Sequence, residues 1–257
     1  MDIIAVALLA FFTLGYLVLG GADIGTGMVM PYLGRDDGER RLVVTSIAPF
    51  FLANEVWLVA AIGLLAGAFP DLEGVLLHDL YAAFTLVLAG WVLRDGGLWL
   101  RGRVDGLRWR RTWDTATVTG SWAVALGWGA VLGPVLAGRT DGSLADPAAV
   151  TGMAVAAVAF CLHGLAFASL RLTGTLRRRA RLLPGRAEAL PLLLTSAAVA
   201  VTVGLAGLRL SPIDSVAHPA SLDFLLPPLL IALPLLVAAQ AWVWRVFRHR
   251  VTEPMYL

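Results

Sequence analysis

Long apolar runs broken by short polar stretches make up this chain. Seven stand out, at about Ile3–Pro31, Val43–Phe69, Leu76–Leu93, Thr115–Ala137, Ala148–Leu170, Ala189–Leu208 and Phe224–Phe247. A helix needs roughly 20 apolar residues to cross a hydrocarbon core about 30 Å thick, and each run is near or above that length. Backbone groups in lipid must be satisfied within their own segment, so each run predicts a spanning helix. The fold class that follows is all-α, a polytopic membrane helix bundle of about seven transmembrane helices. Asp2, with no basic residue ahead of the first run, predicts a true spanning helix rather than a cleaved signal peptide.

Polar residues inside the runs change the picture most. Between Gly20 and Trp57 the chain reads GGADIGTGMVMPYLGRDDGERRLVVTSIAPFFLANEVW, which places Asp23 in the first run and Glu55 in the second. A charge at membrane depth costs roughly 2.5–3.5 kcal/mol on insertion scales, so two in consecutive helices need a common explanation. If the first helix meets the inner face near Leu33, Asp23 lies about 15 Å deep at roughly 1.5 Å per residue. If the second leaves that face near Val43, Glu55 lies about 18 Å deep by the same rise. Gly20, Thr26 and Gly27 flank Asp23 at helical spacing and allow close approach of another backbone. Asp23 therefore has two readings, a proton-carrying group or a packing residue bonded to a neighbouring backbone or arginine. Phe51, Leu52, Leu58 and Val59 flank Glu55 and offer no hydrogen bond, which leaves it free to hold or pass a proton. Asn54 and Trp57 read as a packing hydrogen bond and an apolar anchor.

The polar stretches between runs set the orientation. Eighteen of the 20 basic residues, all arginine, fall in the connections after the first, third and fifth runs and in the C-terminal tail. Arg94 is assigned to the third-to-fourth loop in that grouping and Arg186 to the fifth-to-sixth, while only Arg139 and Arg209 lie on the other side. The positive-inside rule then puts the N-terminus outside and the C-terminus in the cytoplasm. Asp114, beside Arg110 and Arg111, reads as a solvated, salt-bridged residue at the inner end of the fourth helix. Gly21 with Gly25, and Gly129 with Gly133, form small-residue pairs suited to close helix packing. Pro31, Pro49 and Pro234 are predicted to kink or end helices. Arg209–Asp223 is the longest outer connection.

Composition narrows the chemistry. Only 15% of residues are charged, against about 25% in soluble domains, and mean hydropathy is +0.78. The net charge of +2 reflects loop arginines and predicts no nucleic-acid partner. The one cysteine, Cys161, lies in an apolar run and reads as a buried structural thiol. His78 and His218 fall in outer connections and His249 in the inner tail, so only His163 is at a depth for haem ligation. Cys161 and His163 point about 200° apart on a helix and cannot share a metal, and a satisfied packing histidine is the reading taken. No metal, cofactor or nucleophile site is expected in this chain, so any enzyme it serves, it serves as a subunit.

The segments GGADIGTGMVMPYLGRDDGERR and SIAPFFLANEVWL resemble the opening of subunit II of the cytochrome bd quinol oxidases. That family's pattern runs roughly G-F-D-x-G-x-G-M, L-G-R-x-x-x-E-R-R and I-x-P-x-W-D-G-N-E/Q-V-W-L. The similarity continues through AGAFP, through RWRRTWD with a following GS, and in PLLVAAQAWVWRVFRHRV. It covers the first four helices well, the last moderately, and helices five and six loosely. The resemblance implies one membrane domain over residues 1–257, with a four-helix half at 1–137 carrying the motifs and a shortened second half at 148–250. It implies a subunit without haem, paired with a haem-bearing subunit I that holds haems b and d and oxidises quinol in the bacterial plasma membrane. Small accessory membrane subunits and membrane lipids are further implied partners, and no pattern here assigns a structural quinone. Asp23 and Glu55 match family carboxylates of a proton path, with Asn54, Trp57, Gly20 and Gly27 supporting them. The chain departs from the family at Ala22 and at Phe51, Leu52 and Ala53, where W-D-G is usual, so Leu52 stands in place of a path carboxylate. Family members have nine helices where seven are counted here. The alternative functions are an ion-conducting membrane transporter, or a purely structural assembly partner, on the same scaffold.

Overall fold

The structure is a computed structural model that describes residues 1–183 and 188–254. Arg186 therefore lies outside the described residues. The described residues form helices joined by short connections, without strands, as the runs predict. The helices are α1 (Asp2–Met28), α2 (Met30–Leu33), α3 (Asp37–Ile47), α4 (Phe51–Ala68), α5 (Pro70–Asp79) and α6 (Tyr81–Leu100). They continue with α7 (Leu107–Leu136), α8 (Pro147–Arg171), α9 (Gly174–Ala180), α10 (Leu190–Leu210) and α11 (Pro219–Val246). Seven of the described helices, α1, α4, α6, α7, α8, α10 and α11, are long and apolar enough to cross a membrane.

Proline chemistry explains the breaks. Pro31 has no N–H for the Gly27 carbonyl, and the helix is interrupted at Val29 before α2 resumes. Pro49 does the same for Thr45, so the predicted second run splits into α3 and α4 around Ala48–Phe50. Asp36 caps α3 by accepting from the Glu39 amide at 2.8 Å, while the Glu39 carboxylate accepts from the Arg35 amide. Pro234 sits inside a continuous α11. His78 lies in the last turn of α5, and His218 caps α11 by accepting from the Ala220 amide.

The bundle is built on α1, which packs against α4, α7, α8 and α10. Gly25 and Gly164 allow the α1–α8 crossing: a Cβ on Gly25 would sit 1.9 Å from the Phe160 carbonyl oxygen. Gly133 and Gly152 do the same for α7 and α8. As a result every residue of α1 from Gly20 to Met28 is buried, although four of the nine are glycine. The outer faces of α10 and α11 remain largely exposed.

Three placements differ from the sequence reading. Helix α6 does not stop at Leu93 but runs on through Arg94 and Asp95 to Leu100, so Arg94 is inside a span and 2% exposed rather than in a loop. Asp114 is buried, not solvated, because Arg101 folds back onto it at 2.5 Å. Cys161 is half-buried rather than enclosed.

Candidate functional site

Helices α1, α4, α6 and α11 converge on one polar cluster. Asp23 enters from the small-residue end of α1, where neighbouring helices close around it. Asn54 and Glu55 come from the first turns of α4, placed by the break at Pro49. Arg94 comes from α6, whose backbone approaches α7 so closely that a Cβ on Gly120 would lie 2.4 Å from the Arg94 nitrogen. That approach seats Arg94 deep enough for its side chain to reach α1 and α4.

The guanidinium holds three carboxylates. Arg94 Nη2 donates to Asp23 Oδ1 at 2.7 Å, and Nη1 donates to Glu55 Oε1 at 3.2 Å and to Asp95 Oδ1 at 2.8 Å. Its carbon also lies 5.8 Å from the centre of the Phe51 ring. The other Asp23 oxygen accepts from Asn54 Nδ2 at 2.8 Å, and that amide also donates to the Leu19 carbonyl. Gln240 on α11 donates to Asn54 Oδ1 at 2.9 Å and accepts from Trp57 Nε1 at 3.1 Å. A continuous chain of hydrogen bonds thus runs from Trp57 and Gln240 through Asn54, Asp23 and Arg94 to Glu55 and Asp95.

Charge counting decides what the cluster can do. Three ionised carboxylates around one guanidinium leave two negative charges uncompensated in a buried setting, which is costly. Protons are the smallest cations able to neutralise them, so the cluster is a place where protons can reside. Side-chain exposure rises from 2% at Asp23 to 12% at Glu55 and 18% at Asp95, so the cluster opens along α4 and α6. Leu52 is 47% exposed and belongs to the outward face of α4, apart from the guanidinium.

The cluster brings together Asp23, Glu55, Asn54 and Trp57 from the sequence candidates. Gly20 and Gly27 contribute by packing: a Cβ on Gly20 would meet the Tyr16 ring, and one on Gly27 would meet Ser121 Oγ at 2.2 Å. Sequence reasoning missed Arg94, Asp95 and Gln240. A signal existed for each. Apolar residues resume after Arg94 and Asp95 at Leu98–Leu100, and Gln240 is the single polar residue between Leu225 and Trp244.

A second ion-pair group is centred seven residues after Arg94, on Arg101 just past the end of α6. Arg101 bonds Asp114 and, at 3.0 Å, Asp37, while Arg40 and Arg110 reach the same two carboxylates. It ties α3, α6 and α7 together at one end of the bundle. His163 is fully buried, with Nε2 bonded to the Val18 carbonyl at 2.7 Å and Nδ1 to Thr195 Oγ1 at 2.8 Å, so both ring nitrogens are engaged. Among the described residues no His, Cys, Asp and Glu group is arranged to hold a metal ion.

The family profile of cytochrome bd terminal oxidase subunit II matches residues 1–213. The chain belongs to that family. With seven of its described helices long and apolar enough to span, this subunit II family member is a multi-pass protein of the bacterial plasma membrane, and respiratory electron transport is the family's setting. It is 34% identical over 185 residues to cytochrome bd ubiquinol oxidase subunit 2 of Bacillus subtilis (strain 168), covering 68% of this chain and 54% of that one. It is 37% identical over 131 residues to cytochrome bd-I ubiquinol oxidase subunit 2 of Escherichia coli (strain K12), covering 51% of this chain and 35% of that one. It is 31% identical over 182 residues to a probable cytochrome oxidase subunit 2 of Haemophilus influenzae, covering 65% of this chain and 48% of that one. The chain thus spans about half, or less, of the length of these relatives. Asp23, Asn54, Glu55, Arg94 and Asp95 lie within the family match, and Gln240 lies beyond it.

Proposed function

We propose that this chain is the subunit without haem of a bd-type quinol oxidase, in which a haem-bearing subunit I oxidises quinol and reduces oxygen, and that its buried cluster holds protons for that reaction. The observation that carries the reading is the Arg94 guanidinium shared by Asp23, Glu55 and Asp95. A static bracket needs one carboxylate per cation. Three, with exposure rising outward, suit a relay whose proton occupancy changes. Asp23, with both oxygens engaged, is the inner member; Glu55 and Asp95, sharing Nη1, are the outer ones. Asn54 and Gln240 orient Asp23 and pass no net charge.

A second reading has its own support: the 2.7 Å Arg94–Asp23 pair is the arginine contact that a purely packing role for Asp23 requires. Glu55→Gln separates the two in the assembled oxidase. It keeps the hydrogen-bonding shape and leaves Arg94 paired with Asp23 and Asp95, so assembly and partner haem content should be retained. If protons pass here, quinol oxidase turnover should fall by about 10²–10⁴-fold, the range for general acid–base groups. Wild-type turnover with normal haem content would leave the cluster a packing device.

A further inference from the structure

Three arginines are buried among the described residues: Arg94, Arg101 and Arg171. The first two each bond carboxylates. Arg171, the last residue of α8, is 5% exposed, and its side chain makes no hydrogen bond or ion pair among the described residues, although its carbonyl accepts from the Val251 amide at 2.8 Å. Its guanidinium lies 5.0 Å over the Phe50 ring, and its Nε is enclosed without a partner. A ring face offsets only part of the cost of removing a cation from water. A second cation makes the shortage worse. Arg250 crosses the end of α8, donating to the Ser169 and Leu172 carbonyls at 3.0 Å each, and its charge acts on Arg171. The carboxylate beside this pair, Glu188, is already shared between Arg250 and Arg177.

We infer that Arg171 and Arg250 form a binding site for a phosphate group, that of an anionic phospholipid headgroup. Arg171 keeps a planar fork with no hydrogen-bonded partner, the geometry suited to paired phosphate oxygens, and Arg250, whose Nη atoms already hold two carbonyls and Glu188, adds a second positive charge beside it. The site lies where α8 ends, α10 begins and the tail after α11 returns, which is the arginine-rich end of the spans and the depth of headgroup phosphates. Leu193 on the first turn of α10 and Trp242 on the last turns of α11, the two helices whose ends lie at the site, are exposed and offer acyl chains apolar surface. Free phosphate shares the headgroup chemistry but not the tails. The inference is independent of the proton reading.

The test uses the oxidase purified from membranes and stripped of lipid by detergent exchange, with melting temperature and native mass spectrometry as readouts. Phosphatidylglycerol should bind and raise the melting temperature, whereas diacylglycerol with the same tails should not. Arg171→Met should weaken phosphatidylglycerol binding about 10- to 100-fold, as expected for lost charge-assisted bonds. Without lipid it should melt no lower than wild type, since it removes an unpaired buried charge. Arg171→Lys, which keeps the charge but not the fork, should fold and bind with intermediate affinity, and the exposed Arg245→Gln should bind as wild type does. The proposal is overturned if wild type ignores phosphatidylglycerol, if diacylglycerol matches it, or if both Arg171 variants bind normally. It is also overturned if Arg171→Met melts lower by the same amount with and without lipid. A full response to millimolar inorganic phosphate would replace the lipid with a free anion.

Discussion

Replacing Arg94 with leucine removes the single cation from a cluster of three carboxylates. Asp23 then keeps only Asn54 as a side-chain partner, at 2% side-chain exposure. Breaking a buried pair from one side costs about 3–5 kcal/mol, because the remaining charge has neither water nor partner. Asp23→Asn alone costs less, since Arg94 still holds Glu55 and Asp95. One charge-assisted hydrogen bond is worth about 1.5–3 kcal/mol. If the pair is coupled as the geometry says, adding Asp23→Asn to Arg94→Leu should recover about 1–3 kcal/mol instead of adding further loss. A double-mutant cycle, read as reversible unfolding of the detergent-solubilised oxidase or as yield of assembled complex, measures this directly. Additive losses would refute the reasoning, and so would an Arg94→Leu variant as stable as wild type.

Three other outcomes are expected from the packing, the ion pairs and the arginine distribution. Gly164→Ala puts a Cβ 2.0 Å from the Gly25 carbonyl carbon, and backbone cannot give way as a side chain can. It should cost about 3 kcal/mol or more, against a gain of about 0.5–1 kcal/mol for Gly63→Ala, where nothing lies within 4 Å; thermal unfolding compares the two. Glu39, in α3 outside the spans, is held below the ordinary carboxylate range by the Arg179 side chain and the Arg35 amide. Its folded pKa is depressed, so its stabilisation is present above about pH 4.3, the unfolded value, and fades as pH falls through the folded one. The melting-temperature gap between wild type and Glu39→Gln should therefore be open at neutral pH and closed in acid. A reporter active only in the periplasm should work when fused after Gly142 and fail after Gly106, as the arginine distribution requires.

Much of the bundle was legible in the sequence because membrane spans are coded by length and apolarity, which are local properties. Asp23, Asn54 and Glu55 were legible for the same reason, as polar residues standing out against apolar runs. Their partners were not. Arg94 was assigned to a loop because a run-based reading ends a span at its first charged residue. The guanidinium escapes that rule by pairing inside the bundle with residues 39 and 71 positions away. Glu55 had no partner on its own helix, and only the fold brings α6 to it. With Arg94 inside α6, the other described arginines of that set still lie outside the seven spans or at their ends. Asp114 failed in the opposite direction. Its neighbours Arg110 and Arg111 suggested a solvated pair, but the residue that encloses it is Arg101, thirteen positions earlier across the α6–α7 turn.

The position of Leu52 bears on how the cluster is reached. It shares the outward face of α4 with Val56 and Val59, which are 48% and 60% exposed, while Glu55 sits at the margin of that face. A carboxylate at position 52 would stand outside the Arg94 cage, so leucine there leaves the three carboxylates around Arg94 intact. On α6, next to Arg94, Asp95 is the most exposed of the three carboxylates. Asp95 follows Arg94 in sequence, so both side chains ride on α6 and their pairing does not depend on how α4 packs. Glu55 depends on that packing and on the break at Pro49. Of the two outer carboxylates, Asp95 is therefore carried on the same helix as the cation and Glu55 on a neighbouring one. A shift of α4 changes the Glu55–Arg94 contact at 3.2 Å while leaving the Asp95 contact in place. That asymmetry gives the cluster one fixed outer partner and one adjustable one, which is what a site needs if its proton is to be handed on rather than stored.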